Sequence, residues 1–411
     1  MASGKTLVIP VPYLLILGLV GLLVVLFLFG DARSRRAVYV SPEKAAAVEF
    51  NKWPSWTTVE PPDQRIRILW VLHDYVPFVN AGSEICAHTI NAHLMSKPYK
   101  YDVWLASPGF PKRTYENVRC FDLHDQDTFT QVLATTHQLH SHSYIYRKQM
   151  LFLSRITGKP FVEWVHTDNY VRSVGSQWND ERLKGRQWTV FNSKSLRATR
   201  KDLPDASTKI ILPIVDYRDY AVDKEKKEPL YVTLSNVNDN KGGNLLVQLA
   251  KALPDMEFQG IIGGYRKQIV HQGLPNLKYV QHTTRIKDVY ANTWVQIMPS
   301  KEETWGRTAV EAMSSGIPLV VSPTPGLKEC CGDAALYCDR ADLDAWVVTL
   351  RKLKDDVGFY NSRSTIALER ARSLDPLPEI KGLEKWLEST VQPSAQPGRL
   401  PTTIEKNLLF R

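Results

Sequence analysis

The chain has 411 residues, 43% of them hydrophobic and 10% aromatic, which excludes a disordered polypeptide and leaves room for two globular domains. Its formal net charge of +9 suits anionic ligands. The zinc-ligand spacings, RNP-like aromatic motifs and long Lys/Arg runs of nucleic-acid modules are absent from the sequence.

Residues 6–30 are apolar and carry no charge, long enough at ~1.5 Å per residue to cross a bilayer. The run ends at Asp31-Ala32-Arg33-Ser34-Arg35-Arg36 and is longer than a signal-peptide core, so it predicts an uncleaved transmembrane anchor and a single-pass membrane protein. Arginines after the span place the body of the chain in the cytoplasm by the positive-inside tendency, with a lumenal body as the alternative. The lack of any Asn-x-Ser/Thr sequon and five scattered cysteines that suit free thiols agree with that side. Residues 31–64 read as a stem closing at Pro61-Pro62.

Ile66 to Leu72 predicts a strand, followed by a loop, a helix over 84–95 and a strand over 101–106, a β-loop-α-β unit. Strands over 118–123, 138–142, 161–165 and 187–191 alternate with helices over 128–136 and 147–157. Asn192-Ser193-Lys194-Ser195 caps a further helix, and the half closes near Val215. A charged linker, 223–229, precedes a second βα series: strand 230–235, helix 243–253, strand 257–262, strand 279–280, helix 286–292 and strand 294–298. Helix 308–314, strand 319–321, helix 342–352 and a last helix over 380–391 follow, and the tail from Gln392 is loose. Two such halves facing each other hold ligands at the carboxyl ends of their strands.

The most informative segment is Pro299 to Met313, which sets Glu303 and Glu311 eight residues apart with Gly306 between them. Glu303 falls in a strand-to-helix loop and Glu311 in the helix, whose first amides can meet a phosphate. Pro299-Ser300 precedes the pair, and Gly316-Ile317-Pro318 and Pro325-Gly326-Leu327-Lys328-Glu329 follow it. In this context the segment resembles the E-x7-E region of retaining GT-B glycosyltransferases, in particular the large family numbered 4, the glycosyl transferases group 1. The resemblance covers about residues 66–345.

It implies an α/β chain of GT-B fold, with two Rossmann-like domains facing across a cleft behind the N-terminal transmembrane helix. Residues 1–30 would be the anchor, 31–64 the stem, 65–220 the acceptor domain, 221–375 the nucleotide-sugar domain and 376–411 a C-terminal helix and tail. It further implies retaining transfer of a hexose-type sugar from a nucleotide-diphosphate sugar to a glycan, lipid or protein, with neither metal nor cofactor. Glu303 would then meet the transferred sugar and Glu311 the ribose, with Thr304, Trp305, Gly306 and Arg307 lining the donor between them. His166, which ends a strand, matches the family's histidine near the donor sugar; His142 also ends a strand. Lys241-Gly242 matches the family's K-G at the diphosphate, Gly263-Gly264 its turn near the nucleotide, and Gly82 the Gly-Gly-x-Glu loop. Two departures stand out. Ala81 replaces the first glycine of that loop. Ser235 and Asn236 stand where the family has an arginine, so either Asn236 donates a neutral hydrogen bond or another basic residue such as Arg266 or Arg307 substitutes. The alternatives are a GT-B relative such as an epimerase, and a membrane-anchored, catalytically weak sugar-binding or scaffolding protein. Asp125-Gln126-Asp127 has the form of a metal-nucleotide D-x-D, but its place before a helix points to capping.

Overall fold

The computed structural model describes residues 65–142, 145–168, 185–222, 229–263, 266–283 and 285–391. The first sheet contains β1 Ile66–Val71, β2 Tyr101–Ser107, β3 Arg113–Tyr115, β4 Val118–Asp122, β5 Gln138–Ser141, β6 Phe161–Val165, β7 Gln187–Phe191 and β8 Thr208–Ile210. Their order is β3-β4-β2-β1-β5-β6-β7-β8, parallel throughout except for the antiparallel β3–β4 pair. The second sheet contains β9 Tyr231–Ser235, β10 Glu257–Ile261, β11 Leu277–Val280, β12 Thr293–Met298, β13 Leu319–Val321 and β14 Ala335–Tyr337. Its order is β11-β10-β9-β12-β13-β14, all parallel.

Parallel sheets are covered on both faces, so their strands read as continuous apolar runs. Along β1, Ile68 and Trp70 enter one core with Ile90 and Leu94 of helix Gly82–Met95. Leu69 and Val71 enter the other with Phe129, Leu133 and Met150. In the second sheet, Val232, Leu234, Val295 and Ile297 pack with Leu246, Leu249, Trp346 and Leu350. On its other face Met298, Leu319 and Val321 pack with Val310, Met313 and Leu327.

The chain changes core over residues 211–215: Ile211 and Ile214 pack in the first sheet's core, Leu212 and Val215 in the second's. It then returns. Helix Leu377–Thr390 lays Ile380, Leu383 and Leu387 into the first sheet's core. Gln138 Nε2 donates to Leu387 O and Thr390 Oγ1, both at 2.8 Å, and His93 Nε2 lies 2.6 Å from Glu384 Oε1. The sequence predicts this helix but not its destination. Helix Val357–Ser373, started by Asp356 accepting from Phe359 N at 2.8 Å, was not anticipated at all.

The expectation of a single-pass membrane protein is corrected: among the described residues no helix is long and apolar enough to cross a membrane. The expected span, residues 6–30, and the stem 31–64 lie outside the described residues, as does the tail from Gln392.

Candidate active site

Each sheet has one place where the strand order reverses. β1 has β2 on one side and β5 on the other; β9 has β10 on one side and β12 on the other. Loops leaving such strands diverge and open a crevice at their carboxyl ends. Lys241 lies on the loop after β9, and Glu303 on the loop after β12. Residues 62 apart in sequence thus meet: Lys241 Nζ donates to Glu303 Oε2. Ser300 Oγ lies 3.4 Å from the same oxygen. The loop carrying Glu303 is held from behind by Gly326, where a Cβ would come within 2.3 Å of Glu303 O. This close backbone approach explains the glycine of Pro325-Gly326. The Lys241 loop is a 3-10 turn, Asp239–Lys241, ended by Gly242 at φ 99° and fixed by Asn238 Oδ1 accepting from Lys241 N at 3.0 Å. Lys301 Nζ and Arg340 Nη2 both hold Asp239 of this turn, at 2.6 Å on its Oδ2 and its carbonyl oxygen respectively.

Glu311 is placed differently. It is 8% exposed, with Arg307 Nε donating to Oε1 at 2.8 Å and Tyr290 OH to Oε2 at 2.9 Å. Arg307 also donates to Ile214 O at 3.1 Å and Tyr220 OH at 2.6 Å. Burial works to lower the Arg307 pKa, but Glu311 and Tyr220 more than offset it and hold the guanidinium above its ordinary value. The network ties helix Arg307–Met313 to the segment where the chain changes core. Trp305 is buried with its Nε1 unpartnered among the described residues.

Across the crevice, His166 follows β6 and His142 follows β5, with ring centroids 5.4 Å apart. Burial pushes His166 down to about 3, with His142 adding to the shift, and His142 down to about 4, so both rings are neutral at physiological pH. His166 Nε2, His142 Nδ1 and His73 Nδ1 are buried with no hydrogen-bond partner among the described residues. Glu84 Oε1 lies 3.6 Å from His142 Nε2. Burial raises the Glu84 carboxyl, partly offset by the hydrogen bond from Ser83 Oγ at 2.8 Å. Asp74 is raised by burial too, with His73 opposing and Glu84 adding to the shift. Buried polar atoms without partners are uncommon and mark places where a ligand can complete the set.

The two halves touch at this point. Thr304 Oγ1 donates to His166 O at 2.7 Å and accepts from Asn192 Nδ2 at 3.1 Å. Glu329 accepts from the Lys194 and Ser195 amides, both at 2.8 Å.

The structure therefore brings Lys241, Glu303, Thr304 and His166 to one crevice and places Glu311 and Arg307 in the buried network behind it. Gly82 begins its helix with open space around it; Ala81 occupies the capping position and Ser83 makes no cap. Gly263 packs against Asn236, and Gly264 lies outside the described residues. Asp125 caps its helix, accepting from Thr128 N at 3.1 Å. All five cysteines are buried free thiols. Sequence reasoning missed His73 and Asp74, whose only signal was their place after β1, and missed Tyr290, which carries none; Glu84 it knew only as the last residue of the Gly-Gly-x-Glu loop.

Residues 219–369 match the model of the family described as Glycosyl transferases group 1. The O-antigen chain mannosyltransferase B of Escherichia coli is 32% identical over 143 residues, 31% of this chain and 37% of that protein. Sulfoquinovosyl transferase SQD2 of Arabidopsis thaliana is 27% identical over 141 residues, 32% of this chain and 28% of that protein. The chain thus spans about a third of the length of these curated relatives. Among solved structures, sucrose-phosphate synthase from Thermosynechococcus elongatus superposes with a TM-score of 0.64 at 15% identity, covering 79% of this chain and 99% of that one. HepE of Anabaena, in complex with UDP and glucose, has a TM-score of 0.64 at 16% identity, covering 79% and 100%. The architecture is the α/β GT-B-like glycosyltransferase fold with parallel sheets.

Proposed function

We propose that the chain, whose residues 219–369 match the model of glycosyl transferases group 1, is a glycosyltransferase. It moves a hexose-type sugar from a nucleoside diphosphate sugar to a hydroxyl of a glycan, lipid or protein, with retention of configuration and without a metal. The observation that carries this reading is the Lys241–Glu303 pair at the switch point of the second sheet, facing the neutral His166 through Thr304. The first domain takes the acceptor and the second the donor, divided near residue 220. That HepE is described in complex with UDP and glucose supports a nucleoside diphosphate in the crevice.

In this mechanism the acceptor hydroxyl attacks the anomeric carbon on the face the phosphate leaves. The bond from that carbon to the phosphate oxygen breaks, its electrons go to the phosphate, and the acceptor proton passes to that phosphate. No side-chain nucleophile is consumed. Lys241 stabilises the charge that develops on the diphosphate, an effect worth about 3–4 kcal/mol for a well-placed donor. Glu303 turns from Lys241 to the sugar hydroxyls as the diphosphate takes the ammonium. His166 Nε2 meets a sugar hydroxyl. Glu311 keeps a second lone pair on each oxygen for the ribose.

The test is release of free nucleoside diphosphate by the full chain from a panel of nucleotide sugars, with and without EDTA. Release from one donor, unchanged by EDTA, is expected. Release that requires a metal would overturn the metal-free mechanism. No release from any donor would favour the catalytically weak binding protein instead.

A further inference from the structure

The family resemblance leaves a charge missing at Asn236, and the basic residues around the crevice can be sorted by what already holds them. Lys241 is paired with Glu303, Lys301 and Arg340 both hold Asp239, and Arg307 is spent on Glu311, Tyr220 and Ile214 O. Asn236 can donate through its amide nitrogen but carries no charge. Its Oδ1 accepts from Asn238 Nδ2 at 2.9 Å and from Gln268 Nε2 at 3.1 Å.

Gln268 also donates to Arg266 O at 3.2 Å, and its Oε1 accepts from Gly263 N at 2.9 Å. The segment is held further by the antiparallel bridge Asn238–Gln268 and by Ile269 N donating to Val237 O at 2.9 Å. Gly263 makes this docking feasible, since a Cβ there would fall 2.2 Å from the Asn236 side chain. An unbroken hydrogen-bonded frame thus runs from the Lys241 amide through Asn238, Asn236 and Gln268 to the Arg266 backbone. Asn236 and Arg266 both have left-handed backbones, φ 64° and 63°. Such conformations cost a non-glycine residue about 1–2 kcal/mol and persist where surrounding structure enforces them. Here one glutamine side chain binds both residues. Arg266 is exposed, and its side chain has no hydrogen bond or ion pair among the described residues.

We propose that Arg266, presented by the Gln268 clamp beside Asn236, supplies the second positive charge to the donor's diphosphate in place of the arginine absent after β9. This rests on the reading of the crevice as a nucleotide-sugar site. Lys267 is also exposed, but it is the Arg266 carbonyl that Gln268 ties to Asn236, so the charge is assigned to Arg266.

The experiment is calorimetric titration of the full chain with UDP, GDP, ADP and dTDP, alongside ligand-observed NMR with the matching nucleosides. In Arg266→Ala the Kd of the nucleoside diphosphate that binds wild type should rise about tenfold, as for loss of one charge-assisted contact, while its nucleoside binds unchanged. Arg266→Lys should keep most of the affinity, and Lys267→Ala should match wild type. A structural role would weaken diphosphate and nucleoside together. That result, or wild-type diphosphate affinity in both Arg266→Ala and Arg266→Gln, would overturn the inference and leave the proposed function standing. If the wild-type chain binds none of the diphosphates, both fall.

Discussion

In the first sheet the polar groups at the crevice are incomplete: His73, His142 and His166 each keep a buried ring nitrogen without a partner among the described residues, beside carboxyls raised by burial, and burial keeps the His142 and His166 rings neutral. In the second sheet the groups are charged and already paired, Lys241 with Glu303 and Arg307 with Glu311. The same architecture therefore makes two kinds of site. Under the proposed function, the first is left for hydroxyl groups that both donate and accept, and the second holds its cations on internal anions until the diphosphate arrives. The two glutamates of the E-x7-E segment also separate, one into the crevice and one into a buried clasp on the segment where the chain changes core.

That separation is best broken at the clasp. Arg307→Ala leaves Glu311 buried and without its ionic partner, and should cost about 3–5 kcal/mol of unfolding free energy. Denaturant unfolding checks this, and a loss under about 1 kcal/mol would mean the network is a dispensable surface contact. At the crevice, Glu303→Ala should lower donor turnover about 100- to 1000-fold with little loss of stability, because Glu303 is only partly buried. Turnover assays set beside the unfolding curves read the contrast, and a variant that unfolds early but retains its rate would reverse the two assignments.

The smallest effect concerns the neutral histidines. His140 accepts from Trp164 Nε1 at 3.2 Å through Nδ1, so its Nε2 carries the proton facing Gln138 Oε1, also at 3.2 Å. Burial pushes this ring from 6.5 down to about 3. The unfolded chain then binds the proton first, so stability is complete above pH 6.5 and falls as pH drops from 6.5 toward 3. The slope from one such ring is about 1.4 kcal/mol per pH unit, and His140→Gln should remove it from a series of unfolding curves between pH 7 and 4.5. An unchanged slope would show that His140 is protonated in the folded chain.

Much of this was legible in the sequence. Continuous apolar runs marked the buried strands, and Pro299 to Met313 announced its loop and helix through Gly306 and the two glutamates. Pairings across the chain were not: nothing local says that Lys241 meets Glu303 or that Thr304 meets His166. Arg307 and Glu311 stand at i,i+4 on one helix, a spacing that favours an ion pair and could have foretold the clasp. Helix Val357–Ser373 escaped because it buries only Ala367 and Ala371, and Asn361-Ser362-Arg363-Ser364-Thr365 reads as a loop. A serine at the start of a helix is a common cap, yet the Ser83 hydroxyl turns to Glu84.

The return of helix Leu377–Thr390 to the first sheet bears on how the protein is made. Ile380, Leu383 and Leu387 close a core whose other walls are synthesised long before them. At about 5–20 residues per second, a ribosome needs roughly 10–35 s to move from residue 210 to residue 390. Throughout that interval the nascent first half lacks the packing of Ile380, Leu383 and Leu387, leaving apolar surface that a chaperone can bind and that the last helix seals.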